Sequence, residues 1–303
     1  MKNFIRTGAA ALLCVMIVLS TLLTVFSNFL SSTVLSQDFY LGIVATPTYI
    51  TMVKDAINVK FAAQSMYVGI PEEVFSSMLD DGTLHLLLRN HIASAVNYLN
   101  GLTAFEKPVY PQELMTVPLY AYLEKQSALD GTVPTQAQYD QLDLVAADSA
   151  VIIQEEICLI NLDMVKDRAA FQTVHQGLIH MRDAFVPALL TLLTSCLLLV
   201  LLYGRKWRIW LNGILVSLWI SGTCLFVPTL VLHFFGLTNR LDIKTGYLKF
   251  FVDSVLTDMN YYFLLWGLLF FSISSVTLII LKWTHHTAHK SYTPIYQSNA
   301  GNG

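Results

Sequence analysis

Residues 184–203 read AFVPALLTLLTSCLLLVLLY, a run without a single charged side chain. At 1.5 Å of rise per residue, about 20 residues of helix extend about 30 Å, the thickness of a bilayer's hydrocarbon. Two more such runs follow closely, 209–235 and 261–283. A fourth, 7–29, lies near the beginning of the sequence. Core helices of water-soluble proteins are rarely so long and so free of charge, so the pattern predicts four membrane spans. The expected fold is all-α: a four-span α-helical integral membrane protein, with a large helical extracytoplasmic domain between spans 1 and 2.

The residues around the spans fit that reading. Tyr203, Trp207, Trp210 and Trp283 gather at one end of the runs, as an interfacial aromatic belt does. Gly213, Ser217 and Ser221 recur every four residues and share one face of the third span, which marks a helix-packing seam. The interiors of the four spans hold no Asp, Glu, Lys or Arg, and His233 is their one ionisable side chain. Proton relays and ion-coupled carriers need such groups at membrane depth, so active transport by this chain alone is disfavoured.

Charge then sets the expected orientation. The chain is 13% charged with a net charge of −3, and that average hides a strong asymmetry. With four crossings, Lys2, Arg6, Arg205, Lys206, Arg208, Lys282 and Lys290 fall on one side, and every Asp and Glu falls on the other. Positive charge in short connections marks the cytoplasmic face, so Lys2, Arg6, Arg205, Lys206 and Arg208 act as topology determinants. Both termini are expected in the cytoplasm, and residues 30–183 and 236–260 outside it. Lys2 and Arg6 ahead of an apolar run also resemble a signal peptide. That run is longer than a signal core and no Ala-x-Ala follows, so an uncleaved anchor is expected.

Three of the four cysteines (Cys14, Cys196, Cys224) fall in spans, leaving Cys158 alone in the outer region. The outer region therefore has no internal disulfide, and the sequence contains no Asn-x-Ser/Thr acceptor. Together these point to a bacterial plasma membrane.

The outer region reads as helical almost throughout. Thr46-Pro47 starts a helix in which Ile50, Val53, Ile57 and Phe61 keep one face apolar, and Gly69 stops it. Thr83 is expected to cap the next helix, with Leu84, Leu88, Ala95 and Leu99 inward. Thr135 and Gln138 form a capping-box pattern. Met164, Phe171, Val174, Leu178, Met181 and Phe185 fit a heptad seam on a helix that runs straight into the second span. Residues 246–258 form an amphipathic helix, with Tyr247, Phe251 and Val255 opposite Lys249, Asp253 and Thr257. Such a helix suits the bilayer surface or the underside of the larger domain. Residues 284–303 are polar and expected to be disordered.

Signals of chemistry are weak. His285 and His289 stand four apart, and His175, His180 and Asp183 share a helix, but neither group comes with a converging ligand set. Trp219-Ile220-Ser221-Gly222 lacks the first glycine of a Gly-x-Ser-Gly nucleophile, and His233 is too far along the same helix to serve it. Zinc-protease, phosphate-loop and nucleophile-elbow motifs are absent, and the outer basic residues are too dispersed for nucleic acid. The sequence thus predicts a non-enzymatic membrane protein without catalytic residues, cofactor or metal. Beyond the lipid bilayer, its expected partner is a membrane or extracytoplasmic protein, or a second copy. A sensor signalling through a separate cytoplasmic protein, and a membrane enzyme or transport subunit, are the alternatives.

Overall fold

The computed structural model describes residues 2–159, 162–235 and 242–290. In chain order the helices are α1 (Lys2–Phe29), α2 (Gln37–Val44), α3 (Pro47–Val68), α4 (Glu72–Ser76), α5 (Asp81–Leu99) and α6 (Glu113–Leu129). They continue with α7 (Gln136–Ile157), α8 (Ala169–Asp183), α9 (Phe185–Tyr203), α10 (Trp207–Phe235) and α11 (Gly246–Lys290). A π-helical stretch, Leu30–Val34, extends α1, and a 3-10 turn, Leu162–Met164, precedes α8. No strand occurs among the described residues. Among the described residues, four helical stretches are long and apolar enough to cross a membrane: Phe4–Val34, Phe185–Tyr203, Trp207–Phe235 and Gly246–Thr284.

The described residues divide into two compact units. Of the described residues, the span unit draws on 2–29, 181–235 and 258–290, and the helical domain on 30–159, 162–180 and 242–257. The segment between the last two spans therefore folds with the region between the first two.

In the span unit several hydroxyls turn back onto their own helices, while Ser27 donates to the Met181 carbonyl of α8 at 2.6 Å. Thr21 donates to the Ile17 carbonyl at 2.7 Å, Thr194 to Leu190 at 2.7 Å, and Ser274 to Phe270 at 2.6 Å. Hydrocarbon offers no other partner, so this local bond makes a hydroxyl tolerable at depth. α1 packs beside α9 and α10. Farther along α1, Phe29 meets Tyr262 and Phe263 of α11 with ring centroids 5.3 and 4.7 Å apart. α10 and α11 approach most closely at two glycines. A Cβ built on Gly222 would lie 2.6 Å from the Phe271 nitrogen, and one on Gly267 would lie 2.7 Å from the Phe226 nitrogen. Only glycine lets these backbones pack so tightly.

The helical domain is built around α3. Ile50, Val53, Ile57 and Phe61 are all buried, as their spacing predicts, and they pack with Leu84 and Leu88 of α5 and Ile153 and Ile157 of α7. Thr46 caps α3 through the Tyr49 amide, and Gly69 ends it in the left-handed region at φ 73°. Gln138 Oε1 accepts from both the amide (2.8 Å) and the hydroxyl (3.0 Å) of Thr135 at the start of α7.

Three expectations change. α5 is capped by Asp80, whose carboxylate takes the Thr83 amide at 2.9 Å, rather than by Thr83; the aspartate satisfies an amide that the expected start would leave outside the helix. Residues 246–258 and the last span form one helix, because no glycine or proline stands between Gly246 and Gly267 to end it. That helix also continues through 284–290, part of the stretch expected to be disordered, and 291–303 lie outside the described residues.

Candidate functional site

The most concentrated polar chemistry in the helical domain surrounds Glu156, one residue before the end of α7. Its side chain is buried, and a buried carboxylate costs several kcal/mol unless it is paired. Both oxygens are paired. Oε1 lies 2.7 Å from Lys60 Nζ of α3, and Oε2 accepts the Tyr247 hydroxyl at 2.6 Å. Lys60 also stands 3.5 Å from Glu155, and the hydrogen bond to Glu156 is the main reason its pKa is raised. The Lys60 ammonium is therefore held in its charged form.

Tyr49 stands edge-on to Tyr247 with ring centroids 6.2 Å apart. Its hydroxyl is fully buried and has no hydrogen-bond partner. Burial, with a smaller contribution from Tyr247, pushes its pKa far above the usual tyrosine value, so it stays a neutral phenol. A general base needs a free lone pair within reach of its target. Glu156 has committed both oxygens inside the core, so the cluster works as a clamp joining α3, α7 and the first turn of α11.

Beside it, Lys107, Val151, Gln154, Glu155 and Cys158 line a shallow recess of about 350 Å³. Burial raises the Cys158 thiol pKa, which keeps the sulfur protonated and unreactive. Lys107 is turned to Asp163 at 3.1 Å, and Asp163 also binds Lys166 at 2.6 Å.

The outer face of α3 is the other distinctive feature. Outside the stripe of Val53, Ile57 and Phe61 it presents, beyond Asp55, Val59 (72% exposed), Ala63, Met66 (88%) and Tyr67 (92%). A surface helix ordinarily turns charged residues outward at these positions. The spacing 59, 63, 66, 67 was present in the sequence, but the stronger stripe through Ile50 and Phe61 masked it.

The residues singled out from the sequence fall as follows. Met164 lies in the 3-10 turn, apart from α8, which begins at Ala169. Val174 and Met181 are exposed, Phe171 and Leu178 are partly buried, and Phe185 begins α9. The expected continuous helix is interrupted at Ala184. Pro187 explains the break, since it has no N–H for the Asp183 carbonyl and its ring crowds that oxygen. The heptad spacing thus describes no single buried seam.

His175 is buried, 3.0 Å from the Leu99 carbonyl and stacked on Tyr98 at 5.1 Å. His180 bonds the Gln176 carbonyl at 2.7 Å, and Asp183 pairs with Arg182 at 2.9 Å. These are separate structural contacts. The side chains of His285, His286 and His289 lie outside the described part. Among the described residues no group of three His, Cys, Asp or Glu is placed to hold a metal ion.

In the span unit, Gly213 sits against Leu199 and Cys14, whose Sγ is 3.8 Å from the Gly213 carbonyl. Ser217 and Ser221 are buried and donate to the carbonyls of Gly213 (2.9 Å) and Ser217 (3.0 Å). The Ser221 hydroxyl is thereby spent within its own helix. Arg6 donates to the Leu202 carbonyl, and its guanidinium lies 4.7 Å from the Tyr203 ring centroid. That contact puts the start of α1 and the end of α9 together, with Arg205, Lys206 and Arg208 in the following turn. Lys2 opens α1. Compared with known proteins, the chain matches no family model, no curated protein and no solved structure.

Proposed function

We propose that this is a non-enzymatic multi-pass membrane protein whose helical domain lies outside the cytoplasm and binds a protein partner. Both termini then lie in the cytoplasm of a bacterial cell, and the chain acts as an accessory, scaffold or envelope subunit. One observation carries the reading: α3 leaves Val59, Met66 and Tyr67 outside its core stripe and largely exposed. Apolar side chains gathered on one exposed helical face mark an interaction surface, and Met and Tyr are favoured residues at such surfaces. The Glu156 cluster supports the same reading, because both carboxylate oxygens are bonded within the core. The basic end of the span unit, where Arg6 meets Leu202 and Tyr203, supports the orientation.

The test places a photo-reactive amino acid at Val59, Ala63, Met66 or Tyr67 in intact cells. The expected result is one specific protein adduct from these positions and none from exposed positions such as Gln141 or Asp148 on α7. Absence of an adduct from all four removes the support for partner binding. Labelling of an Ala63→Cys variant by a membrane-impermeant maleimide reads the orientation independently. A residue reachable only after lysis reverses it.

A further inference from the structure

Where α1 meets α9 the span unit leaves an open, almost wholly apolar groove of about 800 Å³. Gly8, Ala9 and Leu12 line it from α1, and Leu198, Leu201 and Leu202 from α9. The groove exists because Gly8 and Ala9 carry too little side chain to fill it. A Cβ added at Gly8 meets nothing within 4 Å.

A cation is held at the rim. Leu202 both lines the groove and accepts a hydrogen bond from Arg6 through its carbonyl. The Tyr203 ring covers one face of the same guanidinium at 4.7 Å. Stacking occupies one face and leaves the in-plane N–H groups of the guanidinium end. Its two terminal nitrogens form a fork that matches two oxygens of a phosphate. The turn between α9 and α10 adds Arg205, Lys206 and Arg208, all exposed. No acidic residue occurs in 1–29 or in 184–235, so nothing at this end would receive the cationic half of a zwitterionic headgroup.

We propose that this groove binds one anionic glycerophospholipid. An acyl chain lies between α1 and α9 over Gly8 and Ala9, and the phosphate takes the Arg6 fork with the cations of the turn around it. Annular lipid covers any apolar helix surface without headgroup preference. This site differs in having an arginine fixed at the mouth of the groove by two contacts to α9.

The full chain, purified in mild detergent and stripped of lipid, is mixed with equal amounts of phosphatidylglycerol and phosphatidylcholine of the same chain length. Native mass spectrometry then counts the lipid retained. The expected result is a single phosphatidylglycerol, preferred about tenfold over phosphatidylcholine. Arg6→Gln abolishes most of that preference, and Arg6→Lys, which keeps the charge but loses the fork, falls between. Gly8→Leu projects into the groove from a position where a Cβ meets nothing within 4 Å, and lowers retention of both lipids. Equal retention of the two lipids by the native protein overturns the proposal. So does an unchanged count in Gly8→Leu, whatever Arg6→Gln does, because the chain would then lie elsewhere.

Discussion

Two neighbouring tyrosines should respond in opposite directions to the same substitution. Tyr247 donates to Glu156 Oε2 at 2.6 Å, in a buried position where that oxygen has no water to turn to. Tyr247→Phe removes the donor and leaves a charged acceptor unsatisfied, which costs about 1.5–3 kcal/mol. Tyr49 is fully buried and its hydroxyl bonds nothing. Tyr49→Phe deletes a group that was desolvated without compensation, so the fold gains up to about 1 kcal/mol. For a unit of this size 1 kcal/mol moves the midpoint by about 2–4 °C. The first variant should therefore melt about 3–12 °C lower, and the second up to about 4 °C higher. The helical domain contains no tryptophan, but it holds Cys158, whose half-buried thiol burial keeps protonated. In a protein with Cys14, Cys196 and Cys224 changed to alanine, the reaction of Cys158 with a fluorogenic maleimide on heating reports this unit alone. A shift in the same direction for both variants refutes the assignment of one tyrosine as paired and the other as orphaned. A Tyr49→Phe loss above about 1 kcal/mol does so too, since it would require a partner for that hydroxyl.

The glycine contact between α10 and α11 gives a graded series. Gly222→Ala and Gly267→Ala each press a methyl onto backbone nitrogen, which cannot yield, and should cost about 1–3 kcal/mol. Gly213→Ala meets only the ends of Leu199 and Cys14, at 3.1 and 3.4 Å, and should cost less than either; SDS titration followed by Trp219 and Trp266 fluorescence ranks the three. Acid should weaken the helical domain through His91, whose pKa burial lowers from 6.5 to about 4. As pH falls through 6.5 the unfolded chain takes up the proton first, so stability is full above that value and declines down to about pH 4. The total loss is about 3 kcal/mol. Melting curves between pH 7 and pH 4 should show it, and His91→Leu should remove this part of the slope.

What the sequence made legible, and what it hid, follows from the range of the interactions. The four spans are local statements: an uncharged run such as 184–203 has few solutions other than a helix long and apolar enough to cross a membrane, and the chain forms that helix. The caps at Thr46 and Thr135 are equally local, each set by residues within four positions. The heptad from Met164 to Phe185 looked local, yet it crossed Ala184, where Pro187 two residues beyond its end interrupts the helix, and a proline early in α9 outweighs a period of seven. The clamp could not be read at all. Glu156 pairs with Lys60 and Tyr247, 96 residues behind it and 91 ahead, and neither partner carries a mark distinguishing it from a solvated charge or an interfacial ring. The same holds for 246–258. The alternation of Tyr247 and Phe251 with Lys249 and Asp253 specified an apolar face, but periodicity is silent about what covers that face. Here it is covered by the core that includes Tyr40, Tyr49 and Ile157. The closest helix contact was hidden for another reason. Ser217 and Ser221 gave a clean four-residue period, while Gly222 and Gly267 give none, because a single close approach needs one glycine on each helix rather than a stripe. The outer face of α3 follows the same logic. Val59, Ala63, Met66 and Tyr67 were visible as letters, but their exposure became known only once Val53, Ile57 and Phe61 had claimed the inside. An interaction surface on a helix that is apolar on two sides is therefore defined by subtraction, after the core has taken its share.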